Sequence, residues 1–288
     1  MGAHMQQYLQ PFCDVLVHGL ETDIRVPSLV TSMIESTRPD VVVNLASISS
    51  LADSFEKPYE TYAISFLGTL NLFDALKKSG FKGKFLYVSS SEVYGNVATD
   101  ELPIDENRLV KPNSPYAVAK VATEALCYHW SHSGLFDIVI ARPFNHIGPG
   151  QSDRFAISNF AKQIASVQAG RQQPILNMGN ADAIRDFTDV RDIVKAYSLL
   201  SEHGKNGEIY NVCSGKEYSI RMLLLKMVEL AGVQISIEQT RDRLRSSEQQ
   251  RIYGSYDKLY RDTGWKPQIP IEQTLIDILS DWRKRYHE

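Results

Sequence analysis

Residues 84–95 read KFLYVSSSEVYG. A short run of aliphatic and aromatic residues opens into small polar ones. This predicts a buried strand, Phe85 to Val88, with serines at its carboxyl end. Upstream, PDVVVNLAS predicts a second buried strand, Val41 to Leu45, and downstream FDIVIARPFN predicts a third. A helix is expected from Ile64 to Lys78, with Leu67, Leu70, Phe73 and Leu76 at its apolar positions. Another starts at SPYAVAK, where Ser114 is placed to cap and Pro115 fits the first turn. Strands alternating with helices predict an α/β protein, a doubly wound parallel sheet covered on both faces. Ligands of such sheets bind at the carboxyl ends of the strands. Ala46–Ser47, Ser89–Ser91 and Arg142–Asn145 fall there.

Beyond Gly150 the pattern loosens. Helices are expected near 155–169, from Asp189 onward and near 220–230, with a strand in GEIYNVCSG and a polar stretch at 237–251. No linker separates independent domains. Residues 1–150, joined by 186–212, are read as a nucleotide-binding core. Residues 151–185 and 213–288 are read as a smaller substrate-binding portion.

Composition narrows the class. The 288 residues are 43% hydrophobic and 23% charged, with a net charge of −3. No basic excess points to nucleic acid or an anionic membrane. No apolar run approaches the roughly 18–20 residues that span a bilayer. The start, MGAHMQQYLQ, lacks the features of a secretory signal. A cytoplasmic protein with neither nucleic-acid nor membrane partners is expected. Cys13, Cys127 and Cys213 have no metal-ligand spacing, so no metal is expected, and buried free thiols are.

Tyr116 and Lys120 lie four residues apart, on one face of a helix. A phenol with a pKa near 10 is a poor acid–base group at neutral pH, and a nearby ammonium lowers that pKa. Such a pair moves a proton at a sugar oxygen while hydride moves at carbon. Alone, the spacing also describes a surface lysine beside a half-buried tyrosine. The serine run alone also describes a solvated turn.

Together these segments, with ARPFNHIGPGQ, RDFTDVRDIVKAY and TGWKPQIPIEQTL, resemble the extended short-chain dehydrogenase/reductase (epimerase/dehydratase) family over nearly the whole chain. The resemblance implies a Rossmann-like core and NADP or NAD as cofactor. NHIGPGQ, RDFTDVRDIV, YNVCSG and the RSSE at 245–248 are most similar to GDP-6-deoxy-D-mannose reductases, which reduce GDP-4-dehydro-6-deoxy-D-mannose to GDP-D-rhamnose. A 4,6-dehydratase or epimerase, and a non-catalytic nucleotide-sugar binder, remain the alternatives. The resemblance implies Tyr116 as general acid, Lys120 as its partner on the nicotinamide ribose, and Ser90 on the C4 oxygen. Glu92 aligns with a dehydratase acid–base and in a reductase positions substrate. Ser91 and Glu92 are implied at the sugar, Asn145 and Arg185 at the diphosphate, and Arg245 and Glu248 at the guanosine. Asp186 or Asp189 is the alternative partner for Arg185, and a solvated charged loop the alternative for 245–248. Gly2, Asp23, Ile24, Leu45, Ala46, Ser47, Ser65, Val88, Phe144 and Ile147 are implied on the cofactor side. A helix cap for Asp23–Ile24 and plain packing for 45–47 compete with that. Ser65 stands where relatives carry Asn. A homodimer through the Tyr–Lys helix and the helix before it is also implied.

One family feature is not found. A GxxGxxG turn, whose backbone N–H groups would meet a pyrophosphate at a helix N-terminus, is absent from these residues. Gly2 reads either as its last glycine or, within Gly2–Met5, as an expression-vector remnant. The sheet is therefore expected without the family's first strand, and with only a short strand at Val15–Leu20.

Overall fold

The computed structural model describes residues 1–239 and 249–287. Val41–Asn44, Lys84–Val88, Asp137–Pro143 and Ile209–Val212 lie side by side in that order, all parallel. Val41 stands opposite Lys84, Lys84 opposite Asp137, and Ile140 opposite Ile209.

The two faces of this sheet follow from strand alternation. Phe85, Tyr87, Ile138 and Ile140 point to one face and pack against Val30 and Ile34, Phe73 and Leu76, and Cys127. These come from the helices Pro27–Thr37, Gly68–Lys78 and Pro115–Ser131. Leu86, Val139 and Ala141 point the other way, against Met5 of the Gly2–Leu9 helix and Ile193, Tyr197 and Leu200 of the Val190–His203 helix. Both faces are dry, which is why these strands read as nearly continuous apolar runs. Leu259 and Trp265 join this second cluster.

The helix expected at Ile64–Lys78 begins earlier. Pro58–Tyr62 runs through a π turn, Ala63–Leu67, into Gly68–Lys78. The wider turn shifts the phase of the apolar stripe. Leu72, Phe73 and Leu76 are buried, while Leu67 is left half exposed. Gly68 permits a close approach here, because a Cβ would stand 2.4 Å from the Ile24 Cδ1.

Two further expectations are corrected. Val15–Leu20 forms no strand, and Leu16, Val17 and Leu20 are exposed. A strand needs a neighbour to take its backbone N–H and C=O groups. Among the described residues no strand lies beside the outer edge of Val41–Asn44. Cys127 and Cys213 are buried thiols, but Cys13 is exposed.

A separate core is built by Ile157, Phe160 and Ile164 of Ala156–Gln168, Leu224 and Met227 of Ile220–Ala231, and Leu275 and Leu279 of Ile271–His287. Short strand pairs flank it. Asn145–Ile147 pairs with Phe187–Asp189, and Ile184–Arg185 lies between Arg251–Ile252 and Tyr218–Ser219.

Because Phe85 is fully buried in the sheet, Phe85→Ala is expected to cost about 3–5 kcal/mol in urea unfolding. Leu16→Ala, in the exposed segment, is expected to change stability by less than about 0.5 kcal/mol. Equal costs at the two positions would contradict the assignment of the core.

Candidate active site

The carboxyl end of the Lys84–Val88 strand turns sharply. Ser89 N–H donates to Ala141 O at 2.7 Å, which continues the sheet by one bond. Ser90 then caps the 3-10 turn Ser91–Tyr94, its Oγ accepting from Glu92 N–H at 3.2 Å. Gly95 ends the turn at a φ of 63°, and a Cβ there would stand 1.9 Å from Lys111 O. Only glycine fits both demands.

The facing helix is fixed as its sequence suggests. Ser114 Oγ accepts from Ala117 N–H at 3.1 Å, and Pro115 occupies the first turn. In that first turn, Tyr116 lies beside Ser90, whose hydroxyl pulls the phenol pKa down. One turn further, Lys120 Nζ donates to Val88 O at 2.7 Å. The ammonium stands 5.1 Å from the Tyr87 ring centre and 5.6 Å from that of Tyr116. Ser90, Tyr116, Lys120, Val88 and Glu92 therefore meet at one place.

The electrostatics differ from the sequence expectation. Burial pushes the Tyr116 hydroxyl up to about 12, the Ser90 hydrogen bond opposes this, and the Glu92 carboxylate adds to it. The Lys120 ammonium, which gives one N–H to Val88 O and stands over the Tyr116 ring, does not reverse the balance. Lys120 itself is lowered to about 8 by burial, against the pull of the Glu124 carboxylate. The site holds a neutral phenol beside a buried amine.

The remaining predicted residues divide. Asn44 organises the Leu45–Ser47 end: its Oδ1 accepts from Ala46 N–H at 3.0 Å, and its Nδ2 donates to Thr69 Oγ1 at 3.0 Å. Thr69 in turn donates to Ser65 O at 2.6 Å. Ser65 is buried, and its hydroxyl has no partner among the described residues. Gly2 opens the first helix, with open space where a Cβ would stand. Asp23 is gripped by Arg25 at 2.6 Å, which lowers its carboxyl to about 2. Ile24 packs on Gly68. Phe144 packs beneath Gly254, and Ile147 belongs to the second core.

On the substrate side, Ser91 and Glu92 lie on the 3-10 turn and Asn145 is exposed on its short strand. Arg185 Nη1 donates to Ile184 O at 2.9 Å. The carboxylates weighed as its partners are engaged elsewhere. Asp186 accepts from Ser214 N–H and Oγ and from Gly215 N–H, and Asp189 holds Arg191 at 2.7 Å. Burial pushes Asp186 up to about 6 against those donors. Arg245 and Glu248 lie outside the described residues. Sequence reasoning missed Asn44 and Glu124, and placed Arg142 at a strand end without its partner. A lone arginine inside the apolar run IVIARPF was the available signal, since a buried charge demands a partner.

Among the described residues no group of three His, Cys, Asp or Glu is placed to hold a metal. None of the described helices is long and apolar enough to cross a membrane.

A parallel sheet with serine, tyrosine and lysine gathered at its carboxyl ends is the architecture of the extended short-chain dehydrogenases/reductases. The chain belongs to the family described as GDP-mannose 4,6 dehydratase, whose model matches residues 7–278. It is 48% identical over 250 residues to a GDP-6-deoxy-D-mannose reductase of Pseudomonas aeruginosa, covering 87% of this chain and 82% of that protein. It is 26% identical to a GDP-mannose 4,6-dehydratase of Vibrio cholerae, covering 95% and 81%. A solved structure of RMD from Pseudomonas aeruginosa complexed with NADPH superimposes with a TM-score of 0.93 at 44% identity, covering 99% of this chain and 95% of that one. By family the chain is an NAD(P)-dependent nucleotide-sugar oxidoreductase.

The lowered Lys120 has a consequence for stability. Between about 8 and its ordinary 10.5, the unfolded chain binds this proton more readily than the folded one. Its contribution to stability therefore rises with pH across that window. Urea unfolding of the wild type against Lys120→Met is expected to show a difference growing by on the order of 3 kcal/mol from pH 8 to 10.5. A difference independent of pH would contradict the buried, lowered amine.

Proposed function

We propose that the chain reduces the C4 ketone of GDP-4-dehydro-6-deoxy-D-mannose to GDP-D-rhamnose, using NADPH or NADH. The observation that carries this is the Ser90–Tyr116–Lys120 cluster in a chain 48% identical to a GDP-6-deoxy-D-mannose reductase. The relative complexed with NADPH supports the dinucleotide class.

The residues fit a nicotinamide ribose. Lys120 is 3% exposed, and its ammonium carries three N–H bonds, one of them given to Val88 O. The others suit ribose hydroxyls, with Val88 and residues 45–47 lining the same strand ends. When bound, the reduced dinucleotide supplies hydride to C4.

The chain's own part is the proton. Tyr116, held as a neutral phenol, gives its hydroxyl proton to O4; the phenol O–H bond breaks and the O4–H bond forms. The Lys120 ammonium stabilises the phenolate that remains, and solvent restores the proton. Ser90 hydrogen-bonds O4 and keeps it in line with Tyr116. A pKa of about 12 keeps the phenol protonated but makes it a weaker acid, so the Ser90 hydrogen bond, which favours the phenolate, assists the transfer. Ser91 and Glu92 position the sugar. Asn145 and Arg185 hold the diphosphate, where the guanidinium fork matches phosphate oxygens.

We also infer a homodimer through the helices at 58–67 and 115–131. Tyr59 is 89% exposed there, and Tyr62, Leu67, Val118 and Tyr128 are also exposed. An apolar face of this kind is covered in stable assemblies. Sedimentation at twice the 32.5 kDa chain mass supports this, and a monomer at micromolar concentration removes it.

The protein incubated with the keto-sugar and NADPH is expected to give GDP-D-rhamnose. Tyr116→Phe is expected to fold as the wild type and lose about 10²–10⁴-fold in kcat. Dehydration of GDP-mannose without ketone reduction would replace this reading with the dehydratase. Calorimetric binding of GDP without NADPH would replace it with a non-catalytic binder.

A further inference from the structure

Glu124 and Arg142 form an ion pair beneath the site, with side chains 7% and 4% exposed. Arg142 Nε donates to Glu124 Oε1 at 2.9 Å, and Nη2 to Oε2 at 2.6 Å. Ser89 Oγ donates to the same Oε1. The third arm of the guanidinium, Nη1, donates to the Tyr94 hydroxyl at 3.0 Å, and that hydroxyl donates to Asn211 Oδ1 at 2.7 Å. The guanidinium also stands 4.8 Å from the Tyr94 ring centre.

We propose that the Glu124–Arg142 pair is a positioning element for the reaction, fixing Ser90 and Glu92 in register with Tyr116 and Lys120. The inference rests on the reductase reading above. Ser89 and Tyr94 bound the six-residue segment that carries Ser90 and Glu92, and the pair holds both ends. Glu124 lies one helical turn after Lys120 and two after Tyr116. One planar fork therefore ties the Pro115–Ser131 helix, the Asp137–Pro143 strand and the turn after Val88 into a single arrangement.

Stability alone is a weak reason for such a pair. Desolvating two charges is costly, and well-packed apolar replacements of similar volume are often neutral or stabilising. The pair sits in the otherwise apolar run IVIARPF, where an aliphatic side chain would also fill space. An apolar pair would not hold Ser89 or the Tyr94 hydroxyl, and a site loosened by a fraction of its working distance loses rate.

The test is the double variant Glu124→Leu/Arg142→Met, with Arg142→Lys as a second variant that keeps the charge but loses the fork. The double variant is expected to unfold in urea near the wild-type midpoint. Its kcat is expected to fall about 10- to 100-fold, with KM for the keto-sugar within about twofold of the wild type, and Arg142→Lys, which keeps the Glu124 charge beside Lys120, is expected to hold Kd for NADPH within about twofold. Amide hydrogens of residues 89–95 are expected to exchange about tenfold faster. A folded variant with wild-type kcat, or a parallel loss of binding and rate, would overturn the proposal. If the wild type reduces no keto-sugar, the functional reading fails while the exchange experiment still decides: unchanged protection at 89–95 would overturn the positioning role. If the double variant does not fold, Arg142→Lys is read by the same measurements.

Discussion

The hydrogen bond from the Lys120 ammonium to Val88 O, at 2.7 Å, is the constraint on which the site depends. A lysine this deeply buried needs acceptors, and the protein supplies one from the last residue of a central strand. That bond sets the Pro115–Ser131 helix against the strand end and brings Tyr116 to Ser90. Burial dominates the Tyr116 phenol, which keeps its proton until it is needed. Glu124, one turn on, supplies the negative charge that keeps this amine protonated in a dry setting.

The sheet makes that constraint tolerable. Its central strands are covered on both faces, so water is kept from the floor of the site. Polar groups placed there cannot be solvated and must satisfy one another. The outcome is a series of side-chain pairs: Asn44 with Thr69, Ser89 with Glu124, Arg142 with Glu124 and Tyr94, and Tyr94 with Asn211. Each joins two elements distant in sequence. On the other side Asp186 does the same for the Ser214–Gly215 turn and Gly254.

Much of this was legible in the sequence where the physics is local. Ser114 and Pro115 announce a helix start, Tyr116 and Lys120 share a face by their spacing, and serines after an apolar run mark a strand end. What escaped depends on partners elsewhere in the chain. Val15–Leu20 has strand-like residues, but a strand exists only beside another. The stripe through Leu67 was misphased because a π turn cannot be seen in a 3.6-residue pattern. The Tyr116 pKa was expected to fall on account of its neighbouring lysine, yet its direction is set by burial. Glu124 and Arg142 lie on different elements, so no local spacing linked one to the other.

The central claim is that this site adds hydride to C4 of a keto-sugar while Tyr116 supplies the proton to its oxygen. Reduction of GDP-4-dehydro-6-deoxy-D-mannose with NADPH deuterated at the transferred position tests it most directly. Proton NMR of the sugar product is predicted to show deuterium at C4 and at no other carbon. A product without deuterium at C4, or with deuterium at C6, would contradict the account.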